Sequence, residues 1–166
     1  SAELQDAFHE ALAHSHSRQI LVEEFIEGIH ITIDGYVFPD SGCQSLALAT
    51  KGLLPGTSNQ VAMDIVYPGE IEPRLYEKAC QTNNRVNTKL GYQFGMTHSE
   101  YMVTSDERIV LIESANRGGG CFTSQLIVPQ VCGIDLVNQL ISDVSGERTN
   151  SYQPPEQNPT ILKFAS

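Results

Sequence analysis

The stretch that most restricts the fold lies near the middle of the chain. Gly95 to Thr104 and Ile109 to Ser114 are strand-like runs joined by a short polar turn centred on Asp106 and Glu107, and this spacing predicts a hairpin. With Thr104 paired to Ile109, the register sets Glu100 directly across from Glu113 on one face of the sheet. Opposed carboxylates on adjacent strands repel, and at close range each raises the other's pKa above its ordinary value. A hard divalent cation resolves the conflict. Magnesium suits two carboxylates plus substrate phosphates, because it keeps several waters and rarely has an all-protein cage. The alternative is two solvated glutamates on an edge hairpin.

The remaining pattern predicts strands and helices around that hairpin. Leu4, Ala7, Phe8, Ala11 and Leu12 recur at helical spacing and end at the polar run His14-Ser15-His16-Ser17. The compact apolar run Ile20 to Ile26 reads as a strand. Past Gly28, Ile29, Ile31 and Ile33 alternate with His30, Thr32 and Asp34, so a second strand has one apolar and one polar face. Ser45 to Thr50 and Val61 to Tyr67 are further strands, separated by a turn-rich stretch holding Pro55-Gly56. Pro73 near the start, Leu75, Ala79, Val86 and Leu90 at three- and four-residue steps, and Gly91 as a stop describe a long helix. A third helix begins near Ile134, and Thr160 to Ala165 opens another strand. The fold class expected is α+β, a mostly antiparallel sheet with helices packed on one face. Residues 1–146 form one domain in this reading, and 147–166 a polar, proline-bearing linker with the start of a following strand.

Charge and cysteine usage exclude several functions. The 166 residues carry 20 acidic against 10 basic side chains, and the formal net charge of −10 argues against nucleic acid or an anionic membrane as the main partner. Cys43, Cys80, Cys121 and Cys132 contain no C-x-x-C pair, so neither a zinc knuckle nor a dithiol redox site is indicated. No basic-then-apolar leader and no run of about 20 apolar residues is present, which leads to an expectation of a cytoplasmic protein.

The chemistry-bearing residues gather after the hairpin. In Ile112 to Gly120 a strand ends in the carboxylate of Glu113, the amide of Asn116 and the guanidinium of Arg117, then passes into Gly118-Gly119-Gly120. Arg117 has the planar fork that holds a transferring phosphoryl group, and glycine amides approach anions that side chains would block. By itself the triple glycine is equally a simple loop. His98 lies two residues before Glu100 on the same face, and an imidazole beside a carboxylate would favour iron, manganese or zinc over magnesium. Lys51 either points to a nucleotide or is an ordinary surface lysine. His14 and His16, at a helix end, are expected in solvent.

Ile20 to Gly28, then His98-Ser99-Glu100-Tyr101, then Ile112 to Gly120, then Gly133-Ile134-Asp135-Leu136 resemble, in this order, the motifs of the ATP-grasp superfamily. The similarity covers nearly the whole chain and is nearest to carbamoyl-phosphate synthases, biotin carboxylases and related carboxylate-amine ligases. The resemblance implies ATP and Mg2+ (or Mn2+) as cofactors. It implies adenine contacts along Glu23, Glu24, Phe25 and Ile26, a ribose contact at His30, metal binding by Glu100, Glu113 and Asn116, and phosphate or acyl-phosphate contact by Arg117. It further implies a small carboxylate and a nucleophilic co-substrate as partners, and a homodimer is kept among the expected assemblies.

Two positions depart from the family pattern. The family often has asparagine two residues after the second metal glutamate, where this chain has Ala115 and carries its amide one residue later, on Asn116. The glycine-rich flap and the phosphate-binding lysines of the family's upstream lobe are absent from the 166 residues, so the chain is expected to be part of a longer enzyme and inactive alone. The competing expectation is a nucleotide- or metal-binding module of the same fold without turnover.

Overall fold

The computed structural model describes residues 2–54, 61–147 and 158–164. Strands β1 (Ile29–Phe38), β2 (Gly42–Leu53), β3 (Ala62–Tyr67), β4 (Gly95–Val103), β5 (Ile109–Ala115) and β6 (Thr160–Lys163) form one sheet in the order β5-β4-β1-β2-β3-β6. Every neighbouring pair is antiparallel. The helices are α1 (Ala2–His14), α2 (Pro73–Lys89), α3 (Val128–Cys132), which continues a π-helical turn over Thr123–Ile127, and α4 (Leu136–Ser145). None of them is long and apolar enough to cross a membrane.

The alternation in β1 decides which face is apolar. Ile31 and Ile33 pack with Leu48, Tyr101 and Val103 beneath Leu75, Tyr76 and Ala79 of α2. Burying side chains of this size contributes about 1.5–3 kcal/mol each. Helix α2 has Pro73 in its first turn, where the missing N–H is harmless, and is followed by Gly91 at a left-handed φ of +79°. Its covered face is mixed, since the residues it buries are Ala79, Asn83 and Asn87.

Among the described residues, the opposite face is covered at one end. There Tyr36, Ala47, Ala49 and Tyr67 meet Val128, Val131, Cys132 and Leu136. Tyr36 donates from its hydroxyl to Asp143 of α4 at 2.5 Å. Asp135 caps α4 by accepting from the amides of Val137 and Asn138, so the helix starts two residues after Ile134. The short helical cover formed by the π-turn and α3 was not expected from the sequence, because Thr123 to Cys132 holds a proline and follows three glycines.

Two expectations are corrected. Ile20 to Ile26 has no regular secondary structure, and Leu21, Val22 and Phe25 are 81%, 72% and 73% exposed. Strand propensity without a pairing partner does not form a strand, and no described strand lies beside this run. The hairpin turn also begins earlier than expected. Val103, not Thr104, pairs with Ile109, because Thr104 enters the loop, where its N–H bonds to the Arg108 carbonyl at 3.0 Å. The Pro55-Gly56 turn and most of the 147–166 linker lie outside the described residues. The described strand within that linker region, β6, forms the edge of the same sheet beside β3.

Candidate functional site

The polar face of β1 builds the site. Thr32 pairs with Glu100 and Asp34 with His98 across the β1–β4 ladder, so these side chains share one face. Glu100 accepts from His30 Nε2 at 2.8 Å and from Lys51 Nζ at 2.5 Å, with His98 Nε2 at 3.6 Å. The other imidazole nitrogen of His98 bonds to Asp34 at 2.8 Å, and Asp34 also accepts from the Tyr67 hydroxyl at 3.0 Å. Asp34 is 1% exposed, and the side chains of Lys51 and Glu100 are 12% and 17% exposed. Two carboxylates are thus threaded between a lysine and two imidazoles in a partly dehydrated layer.

The charges follow from these contacts. The hydrogen bond from His30, the imidazole of His98 3.6 Å away and the hydrogen-bonded Lys51 outweigh burial and hold the Glu100 carboxyl far below the usual carboxylate range. This reverses the expectation that Glu113 would raise it: like-charge repulsion from an exposed neighbour is weaker than two close donors and a third cationic group nearby. Burial lowers the pKa of His98, but hydrogen bonds and charges from Asp34 and Glu100 overcome it and push it up to about 9. Burial, reinforced by Asp34, raises the Tyr67 hydroxyl.

Glu113 does face Glu100, by a route the alternation alone does not reveal. The ladder runs Val103 to Ile109, Met102 to Val110 and Tyr101 to Leu111, then shifts so that Glu100 pairs with Glu113. Ile112 is the extra residue of a β-bulge. The turn starting one residue early and the bulge compensate, and the expected pair results. Glu113 is exposed while Glu100 lies inside the cluster.

Beyond β5, Asn116 donates its amide to the carbonyls of Phe94 and Met96 at 3.2 and 2.9 Å, which ties this turn to the start of β4. Arg117 is exposed and donates to the Gly118 carbonyl at 2.9 Å. A Cβ at Gly119 would stand 2.9 Å from His98 Nδ1 and 3.0 Å from Asp34 Oδ1, and one at Gly118 would collide with Ser124 Oγ. The glycine loop therefore seats directly on the Asp34–His98 pair, and a side chain at either position would lift it. Glu23, Glu24 and Phe25 are exposed and Ile26 is half-buried, on the segment that leads into β1.

The structure thus gathers His30, Lys51, His98, Glu100 and Glu113, and leads Asn116 and Arg117 out of the same hairpin. Sequence reasoning missed Asp34 and Tyr67 and undervalued Lys51. The signal for Asp34 was present, since it shares the polar parity of β1 with His30 and Thr32. Among the described residues no three His, Cys, Asp or Glu side chains form a ready-made metal cage. Two facing carboxylates, one of them open to solvent, fit a hard cation that takes its other ligands from water and phosphate. Among the described residues, none offers a hydrogen-bond partner to the buried Nδ1 of His30.

Residues 2–125 match the family described as the ATP-grasp domain. Solved structures of similar fold include a biotin carboxylase β,γ-ATP complex from Campylobacter jejuni, 16% identical, covering 96% of this chain and 36% of that one with a TM-score of 0.79. A second is the biotin carboxylase domain dimer of the Hydrogenobacter thermophilus 2-oxoglutarate carboxylase with MgADP and bicarbonate, 18% identical, with coverages of 96% and 35% and a TM-score of 0.75. A third is an L-amino acid ligase from Bacillus licheniformis, 20% identical, with coverages of 78% and 34% and a TM-score of 0.65. At these identities the likeness speaks for the fold, and the chain spans about a third of each structure's length. No curated protein sequence matches it. With an antiparallel sheet that carries the facing glutamates, a glycine loop seated beside them and a family match over residues 2–125, the chain belongs to the ATP-grasp family.

Proposed function

We propose that this chain is the magnesium- and ATP-binding lobe of a longer ligase that activates a carboxylate as an acyl phosphate. The observation that carries this reading is the pairing of Glu100 with Glu113 on the hairpin that delivers Arg117 and Gly118 to Gly120. In this reading residues 1–146 form the lobe and 147–166 a linker with a further strand. A carboxylate oxygen of the substrate attacks the γ-phosphorus, the bond to ADP breaks, and an amine or another nucleophile then displaces phosphate from the acyl carbon. A related structure with MgADP and another named as an L-amino acid ligase support the cofactors and the reaction class.

The chain's own residues would position and neutralise. Glu100 and Glu113 would hold Mg2+ (or Mn2+), with Asn116 as a third donor, and the ion would neutralise charge on the phosphates. Arg117 would grip the transferring phosphoryl group through its fork, and the amides of the glycine loop would face its oxygens. The backbone of Glu23 to Ile26 would take adenine, and His30, on the polar face of β1, would contact the ribose. The competing reading is a module that holds nucleotide without turnover, and the engagement of Glu100 by Lys51 and His30 favours it.

ADP release separates the two. The full-length protein, given magnesium and the right acid and nucleophile, should release ADP, and Arg117→Ala should lower kcat by about 10²–10³-fold. The 166-residue chain alone should release none. Full-length protein that binds ATP but releases no ADP across a broad panel of acids and amines would favour the module.

A second measurement addresses the metal. Manganese should raise the melting temperature of the wild-type chain and leave that of Glu113→Gln unchanged. Without metal, Glu113→Gln should alter stability by no more than about 0.5 kcal/mol, because Glu113 is exposed and Glu100 already has its cations. An equal manganese response in both proteins would remove Glu113 from the site.

A further inference from the structure

Glu113 reaches Glu100 only because β5 changes register at Ile112. Continued without the bulge, the pairing set by the turn would place Ile112 opposite Glu100 and Glu113 opposite Ser99. A shift of one residue turns every following side chain to the other face, so Glu113 would then point toward α2. Hydrophobic burial ordinarily selects one register. Here it does not, because Leu111 and Ile112 are 40% and 45% exposed and Glu113 is exposed as well.

What distinguishes the two registers lies on the α2 side. Ser114 donates to Asn87 Oδ1 at 2.7 Å, and the Ser99 hydroxyl donates to Ser114 Oγ at 3.0 Å. Ser99 and Asn87 are both fully buried. Asn87 is fixed in turn, donating to Asn83 Oδ1 at 3.1 Å, and Asn83 donates to Ser45 at 2.9 Å and accepts from Tyr101 at 3.0 Å. Tyr92 adds a bond from its hydroxyl to the Ser114 carbonyl at 3.1 Å. In the unbulged register the Glu113 carboxylate would take the place of Ser114 opposite Ser99, beside the carbonyl oxygen of Asn87. That replaces a donor by a buried anion facing an acceptor.

We propose that Asn87, Ser99 and Ser114 are positioning residues, whose contacts on the α2 face hold the bulge at Ile112 and so bring Glu113 round to Glu100. Their consequence for metal binding rests on the reading of Glu100 and Glu113 as a metal pair, whereas their control of register does not.

The test uses the 166-residue chain in EDTA, with cross-strand backbone NOEs as the readout. Wild type and Ser114→Thr, which keeps the hydroxyl, should show Glu100–Glu113 and Ser99–Ser114 contacts. Ser114→Ala should show a second set, Glu100–Ile112 and Ser99–Glu113, with the contacts from Val103–Ile109 to Tyr101–Leu111 unchanged. Deletion of Ile112 makes the turn register and the site register the same, so Ser114→Ala in that background should show only the Glu100–Glu113 pairing. If Ser114→Ala retains the wild-type contacts alone, the proposal is overturned. Should Ser114→Ala unfold, the Ile112 deletion must restore the Glu100–Glu113 contacts in it, and failure to do so overturns the proposal too. Manganese broadening then reads the consequence, with affinity about tenfold or more weaker in Ser114→Ala than in wild type. If the registers behave as expected and wild type shows no broadening, the metal reading fails and the register inference stands.

Discussion

Replacing Glu100 by alanine is expected to destabilise the metal-free chain by about 3–5 kcal/mol, the usual cost of removing one partner from a buried ionic cluster. Lys51 and His30 both direct their N–H groups at this carboxylate, and their side chains are only 12% and 10% exposed. After the substitution Lys51 is a dehydrated cation without its anion, and the imidazolium of His98 keeps only Asp34. The measurement is urea unfolding in EDTA, where the midpoint should fall with no change in slope. Lys51→Met added to Glu100→Ala should recover part of the loss, since it removes the stranded charge. A loss below about 1 kcal/mol would mean that water screens the cluster as it screens surface ion pairs.

Asp34→Asn should produce the second large effect and a spectroscopic one with it. Asp34 is 1% exposed and is the shared acceptor of Tyr67 and His98. Removing its charge leaves Glu100 alone to oppose burial, so the imidazole's titration midpoint should drop clearly below about 9. NMR titration of the ring in EDTA reads this directly, and a midpoint that stays near 9 would show that Asp34 does not set it. Stability should change with pH in a matching way. A group raised in the folded state stabilises fully below its unfolded pKa, so the His98 contribution is present below about 6.5 and is lost as pH rises through about 9. Glu100 is lowered, so its contribution is present above its ordinary value of 4.5 and is lost as pH falls below that. Wild type should therefore lose the His98 part above pH 6.5, and Asp34→Asn should show less of that alkaline loss. The same substitution disturbs the seat of the glycine loop, because Gly119 rests on the Asp34–His98 pair.

Local pattern was sufficient for a good deal of this protein. The alternation of Ile29, Ile31 and Ile33 with His30, Thr32 and Asp34 determined a strand with one apolar and one polar face, because side chains alternate along any strand. Pro73 and Gly91 bounded α2 closely, since each satisfies a backbone requirement at a helix end. The hairpin was legible from its two strand-like runs and the polar turn between them, as was the order of motifs that identifies the family.

Other features depended on contacts between segments far apart in the sequence. Ile20 to Ile26 has strand composition, but a strand exists only where another backbone completes its hydrogen bonds, and composition does not say whether one is present. Lys51 became a buried partner of Glu100 because β1 lies between β2 and β4, which only the strand order determines. The meeting of Glu100 with Glu113 rests on a bulge that neither strand's own pattern encodes. Register is a property of two strands and of whatever packs on them, and here the buried Asn87 of α2 touches Ser114 on the side away from the glutamates. The charge state of the site was likewise decided by tertiary structure, because the two glutamates alone predict mutual repulsion, whereas His30 and Lys51 reach Glu100 from β1 and β2, join His98 of its own strand, and reverse the direction of its shift.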